Sequence, residues 1–289
     1  MYETVSFLSD YGRADEFVGV VKSVLRSMAP AAHVVDITHD VPAHDVRAGA
    51  LCLARASQYL CPGVVLAVVD PGVGTARKAI AVEVGDGQSV LVGPDNGLLA
   101  PAVSMVGGAG RAVNLTDDRW HLPAPGPTFA GRDVFAPVVA HLCNGVDLAE
   151  LGDLIDPALL LPAIIPVTNL DDDELACEVL WVDRYGNAQL NVDPDELDGW
   201  GARLRVTWAA DGGLRTGRTA VRADAYGDLE RTDLGLVVDS YGLLSVVLPR
   251  ASAAATLGLR AGDEVRLVRL DGDAQEVGIS TPVELRARG

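Results

Sequence analysis

Asp70 and Arg77 are the residues whose types and spacing most invite chemistry. Asp70 ends the apolar run Val64-Val65-Leu66-Ala67-Val68-Val69 and opens the turn Pro71-Gly72-Val73-Gly74-Thr75-Ala76, with Arg77 seven positions further on. A buried strand that ends in a carboxylate, turns on glycines and then presents a guanidinium builds a polar, charge-paired site on a rigid support. The glycines let backbone approach a ligand closely, and the proline stiffens the start of the turn. The same residues also suit an ordinary strand-to-loop turn, with Asp70 capping backbone amides and Arg77 solvated. The repetition of this arrangement along the first half of the chain favours a site.

Those elements alternate between strand and helix. Thr4–Leu8 reads as a strand, and Asp15 is positioned to cap a helix with Phe17, Val20, Val21, Val24, Leu25 and Met28 at helical spacing. Val34–Ile37 is the next strand, a helical run follows Asp45 through Tyr59, and Val64–Val69 is the third strand. Ala79–Val84 and Val90–Val92 read as a hairpin or two further strands. The pattern predicts a Rossmann-like α/β domain with a mainly parallel sheet. Polar residues stand where the strands stop: Ser9-Asp10, Thr38-His39-Asp40, Asp70 and Asp95-Asn96. Ligands of open α/β sheets bind outside the carboxyl ends of the strands, so these residues are expected to converge on one crevice.

Several function classes lose support. No Gly-x-Gly-x-x-Gly follows the first strand and no Gly-Lys-Ser/Thr loop occurs, against dinucleotide binding and P-loop chemistry. The five histidines, His33, His39, His44, His121 and His141, lack metal-site spacing, so no metal is expected. A formal charge of −17 opposes nucleic acid and anionic membrane as partners. The four cysteines, Cys52, Cys61, Cys143 and Cys177, are scattered in apolar contexts and read as buried thiols of a reducing compartment. With no visible secretory signal and no apolar stretch near the roughly 18 residues of a membrane span, the chain reads as soluble and cytoplasmic.

The 289 residues leave room for two cores. We expect an α/β domain over 1–167, an acidic linker over 168–174 containing Asp171-Asp172-Asp173-Glu174, and a β-barrel domain over 175–289. Short strands separated by glycine turns support the barrel: Glu178–Val182, Ala188–Val192, Arg203–Trp208, Leu236–Val238, Leu243–Leu248 and Glu264–Leu270. Two polar clusters interrupt them, Asp183-Arg184-Tyr185-Gly186-Asn187 and Asp239-Ser240-Tyr241-Gly242. Both suit turns; an amide beside a ring also suits a flat heterocycle.

Five segments, Phe7–Gly12, Val69–Gly74, Gly93–Leu99, Thr128-Phe129-Ala130-Gly131-Arg132-Asp133 and Asp183–Asn187, together resemble the S-adenosylmethionine hydroxide adenosyltransferases, relatives of the fluorinases and chlorinases. The resemblance covers nearly the whole chain. It implies a homotrimer with active sites between the N-terminal domain of one subunit and the C-terminal domain of the next. The implied reaction is attack of water or hydroxide on the ribose 5′ carbon of S-adenosylmethionine, giving adenosine and methionine, with no cofactor. Methionine departs as a neutral thioether that needs no general acid, so alignment and activation of the nucleophile are the enzyme's main tasks.

By the same resemblance, Asp70 and Arg77 belong to an Asp-Arg-His set that orients water and accepts its proton, while Asp10 holds the ribose hydroxyls and Phe129 lines the pocket beside the reacting carbon. Tyr185 corresponds to an adenine-stacking ring, Asn187 to the amide reading the adenine edge, and Asp183 and Ser240 to holders of the methionine ammonium and carboxylate. Asn96, Tyr241 and the backbone near Ser252-Ala253 complete the expected substrate contacts. The halogenases carry Tyr in place of Asp70, which favours water over halide; Gly131 points the same way, since fluorinases have Ser there, although chlorinases also have Gly. The departure is Ala130, where the family has His. Retention of Asp70 and Arg77 favours hydrolysis, whereas Ala130 favours a protein that binds S-adenosylmethionine or adenosine without turnover. A halide-using adenosyltransferase is a third alternative.

Overall fold

Unbroken runs of Val, Leu, Ile and Ala make strands that are covered on both faces, and the N-terminal part of the chain is built from them. β1 (Thr4–Ser9), β2 (His33–Thr38) and β3 (Val64–Val68) are parallel, with β1 in the middle. β4 (Ala79–Val84) and β5 (Ser89–Pro94) form an antiparallel hairpin whose second strand lies parallel to β3. β6 (Ala109–Asn114) and β7 (Asp153–Ile155) extend the sheet antiparallel, giving the order β2-β1-β3-β5-β4-β6-β7. The four strands that carry the candidate chemistry are the parallel ones.

Helix α1 (Phe17–Met28) connects β1 to β2, and α2 (Val46–Ser57) connects β2 to β3. The chain therefore leaves β1 toward one edge and returns on its other side, a topological switch point that opens a crevice beyond the ends of β1 and β3. α3 (Ala100–Met105) packs on α2, and α4 (Ala136–Cys143) packs on α1. Phe7, Leu66 and Val68 of the sheet share one core with Val21 and Leu25 of α1 and Val138, Val139 and Leu142 of α4. α1 starts one turn-residue later than expected: Glu16 is its N-cap, with no side-chain cap bond, and Asp15 lies outside it. Asp45 does cap α2, accepting from the Ala48 amide at 2.8 Å.

The computed structural model describes residues 1–209, 215–270 and 279–280. The chain divides into two units, Met1–Ile164 and Ile165–Gly289; the expected end of the second domain at Gly289 lies outside the described residues. The acidic stretch expected as a linker is a hairpin. β8 (Asn169–Asp171) pairs with the start of β9 (Glu174–Val182), and Arg266 and Arg269 pair with Glu174 and Asp173. Those arginines offset the local charge that suggested a solvated segment.

The second unit is a closed barrel. β10 (Ala188–Leu190), β11 (Arg203–Ala209), β12 (Arg215–Ala223), β13 (Leu234–Val238), β14 (Leu244–Val247) and β15 (Glu264–Arg269) join β9 in the cycle β9-β10-β14-β13-β12-β11-β15, which returns to β9. Closure removes exposed strand edges. Leu175, Val179, Leu190, Val206, Trp208, Leu236, Val246 and Leu267 fill the interior. Two of the four thiols, Cys143 and Cys177, are buried as expected; Cys52 is half-buried and Cys61 is exposed, so the expectation of four buried thiols fails at Cys61.

Candidate functional site

Because β1 and β3 run parallel in register, with Ser9 beside Val68, their next residues emerge side by side. Asp10 donates its backbone amide to the Val68 carbonyl at 3.3 Å, and Asp70 follows two residues after that carbonyl. Both carboxylates line a cavity of about 210 Å³ together with Tyr11, Phe17, His44, Ala130 and Gly131. Asp10 accepts from the His44 amide at 2.9 Å, and His44 holds the rare left-handed backbone, φ 67°. A non-glycine residue keeps that conformation only where its surroundings enforce it.

Arg77 grips Asp70 with both arms of its guanidinium, Nε to Oδ1 at 3.0 Å and Nη2 to Oδ2. The pair is nearly closed to solvent, at 12% and 5% side-chain exposure. The solvated Arg77 of an ordinary turn is therefore not what forms. Burial raises the Asp70 carboxyl above the usual aspartate range, Arg77 opposes that rise, and the Asp10 charge adds to it. The Arg77 Cζ lies 5.5 Å from the centre of the buried Phe135 ring, which backs the guanidinium. Phe135 closes a short π-helical turn, Gly131–Phe135, that begins directly after Ala130.

Of the four strand ends expected to converge, two reach this cavity. His39 turns inward, with Nδ1 2.8 Å from the Ser9 hydroxyl. Asp95 is buried and accepts from the Leu161 amide, while Asn96 donates to the Val69 carbonyl at 2.9 Å and accepts from the Leu98 amide. Asn96 thus braces the backbone ahead of Asp70 and does not line the cavity. Phe129 lies one ring behind the cavity lining, with its ring centre 5.0 Å from Phe17 and 5.7 Å from Tyr11. Ala130 lines this cavity and also a neighbouring one of about 680 Å³ that Arg77 and His121 share.

The barrel carries a cavity of its own, about 710 Å³, lined by Asp183, Tyr185, Asn187, Tyr226, Ser240 and the segment from Leu248 to Ser252. Its two turns are built alike. Asp183 accepts from the amides of Tyr185 and Asn187, and Asp239 accepts from those of Tyr241 and Leu243. Gly186 and Gly242 take φ 83° and 82° in the two turns. A Cβ on Gly186 would lie 2.0 Å from the Ser252 hydroxyl, so glycine is what lets this turn seat on the start of α5 (Ala253–Leu257).

Asn187 donates Nδ2 to Asp183 at 2.8 Å, which leaves its Oδ1 as the acceptor for a ligand. Tyr185 stands 78% exposed above the turn. Ser252 lines the cavity while its hydroxyl caps α5; Ala253 is fully buried, and Tyr241 is not part of the lining. Tyr226 takes that aromatic place, its phenol pushed up by burial and by the carboxylates of Asp183 and Asp239. Sequence reasoning passed over Tyr226 and Tyr11. A ring in a polar loop, Asp224-Ala225-Tyr226-Gly227, and a ring directly after a strand-end carboxylate were the available signals.

Among the described residues, no cluster of His, Cys, Asp and Glu is arranged to hold a metal ion, and no helix is long and apolar enough to cross a membrane.

Comparison with known proteins matches both halves. The SAM hydroxide adenosyltransferase N-terminal domain matches residues 5–152 and the C-terminal domain residues 177–266. The (R)-S-adenosyl-L-methionine hydrolase of Salinispora tropica is 43% identical over 91% of this chain and 97% of its own; that of Thermus thermophilus is 41% identical over 91% and 99%. Fluorinases stand further off, at 25–26% identity. A crystal structure of a conserved protein from Thermotoga maritima superposes with TM-score 0.82 at 32% identity, covering 92% of this chain and 100% of that one. With the family matched in both domains and relatives above 40% identity along nine-tenths of its length, the chain belongs to the S-adenosylmethionine hydroxide adenosyltransferase family.

Proposed function

We propose that this protein hydrolyses S-adenosyl-L-methionine, in the (R) form named for its relatives, to adenosine and L-methionine. The observation that carries the reading is the buried Asp70–Arg77 pair, whose carboxylate shares one small cavity with Asp10. An ionised Asp10 suits the ribose hydroxyls, because it accepts hydrogen bonds and donates none. Asp70 orients a water and takes its proton as the oxygen bonds to the 5′ carbon. The carbon–sulfur bond breaks with its electron pair going to sulfur, so the cationic sulfonium becomes a neutral thioether. Asp70, with a pKa raised by burial but restrained by Arg77, is a better proton acceptor than a free aspartate of pKa near about 3.9.

The barrel cavity suits the remainder of the substrate. Tyr185 and Tyr226 offer faces for the adenine ring, and the Asn187 Oδ1 accepts from its exocyclic amine. Ser240 and the remaining acceptor capacity of Asp183 serve the methionine carboxylate and ammonium. In a homotrimer, the α/β unit of one subunit would complete the barrel cavity of the next. The chemistry calls for no cofactor, since the leaving group needs neither proton nor electrons.

Ala130 favours a second reading, a protein that holds the ligand without turning it over. Purified protein and an Ala130→His variant, incubated with (R)- and (S)-S-adenosyl-L-methionine without halide, separate the two. Equimolar adenosine and methionine from the (R) form, faster in the variant, supports hydrolysis. Binding without product from either protein sinks it.

A further inference from the structure

Tyr11 is the group in the small cavity that neither turn chemistry nor the Asp70–Arg77 pair accounts for. Its ring is wedged against Phe17 at 5.6 Å and Phe129 at 5.7 Å, so packing fixes where the hydroxyl lies. Among the described residues no protein group hydrogen-bonds to that hydroxyl; the one bond Tyr11 makes is from its backbone amide to Ser9. A Cβ on Gly131 would come 2.1 Å from the hydroxyl oxygen and 3.3 Å from the Phe129 ring. The phenol therefore fills the volume that any side chain at 131 would need, and it does so in a cavity lined by Asp10, Asp70 and Ala130.

Tyr11 is half-buried and lines the cavity, so a ligand atom or water there is the natural partner of its hydroxyl. Burial and the charges of Asp10 and Asp70 push the phenol well above the usual tyrosine range. It stays protonated at working pH, with one hydrogen to donate and lone pairs to accept. A cavity that this neutral hydroxyl shares with two carboxylates is also a poor place for an anion and an acceptable one for a neutral nucleophile.

We propose that Tyr11 is a positioning residue that holds the attacking water against Asp70, and that Gly131 is small in order to admit its hydroxyl. Water at this place directs one lone pair at carbon and one hydrogen at the Asp70 carboxylate. Its remaining hydrogen is donated to the Tyr11 hydroxyl oxygen, which fixes the rotation of the water while the phenol keeps its own proton. This inference rests on the hydrolytic reading above.

Tyr11→Phe removes one oxygen and preserves the ring packing. We expect kcat for adenosine formation to fall about tenfold while KM for S-adenosylmethionine stays within about twofold. Gly131→Ala, which displaces the hydroxyl, should lower kcat in the parent protein and cost clearly less in the Tyr11→Phe background, because the two changes act on one contact. Unchanged kcat in Tyr11→Phe, a change confined to KM, or fully additive effects would overturn the assignment while hydrolysis stands. A parent protein that binds S-adenosylmethionine and forms no adenosine would instead remove the hydrolytic reading, and this one with it.

Discussion

Asp70 stands between two opposing influences. Burial favours its neutral form and Arg77 its charged form, and burial prevails. If the ionised carboxylate takes the proton from water, activity is lost as pH falls through a pKa above the ordinary aspartate range. Arg77→Met removes the influence that holds the carboxyl down. The acid limb of the kcat profile should therefore move to higher pH, and kcat should fall by about 10²-fold or more, since the developing charge loses its fixed donor. A limb that stays in place, or moves to lower pH, would show that Arg77 does not act through Asp70. The Asp70–Arg77 pairing was legible in the sequence because the two residues lie seven positions apart across one turn. Asn96 was not, because an amide after a strand looks the same whether it faces a ligand or, as here, bonds to the Val69 carbonyl.

At the scale of elements, the strands with unbroken apolar runs declared themselves, since β1, β3 and the β4–β5 hairpin lie within a residue or two of their expected bounds. β12 did not. Its sequence Arg-Thr-Gly-Arg-Thr-Ala-Val-Arg-Ala alternates polar and small residues and becomes a strand because β11 and β13 pair with it on either side. The π-helical turn Gly131–Phe135 also has no periodic signature, although it places Ala130, Gly131 and Phe135 around the site. Phe135 is fully buried in the N-terminal core and backs Arg77. Phe135→Ala should cost about 3–5 kcal/mol of stability, read as a lowered urea midpoint. A loss below about 1 kcal/mol would mean that this turn does not anchor the site as described.

In the molecule as a whole, the two candidate cavities lie in different units: Asp10 and Asp70 line one in the α/β unit, and Tyr185, Tyr226 and Asn187 line one in the barrel. If neighbouring subunits share each site, an Asp70→Asn chain and an Asn187→Ala chain, each nearly inactive alone, should regain part of the activity when refolded together, because some sites then pair an intact α/β unit with an intact barrel. No recovery would place both halves of the site in one chain. Attack of water on the 5′ carbon is tested by turnover of (R)-S-adenosyl-L-methionine in ¹⁸O-water without halide, with the products weighed by mass spectrometry. Hydrolysis by water yields adenosine carrying one ¹⁸O at the 5′ hydroxyl and an equal amount of unlabelled methionine. Unlabelled adenosine, a product that requires added halide, or bound substrate that is never cleaved would contradict it.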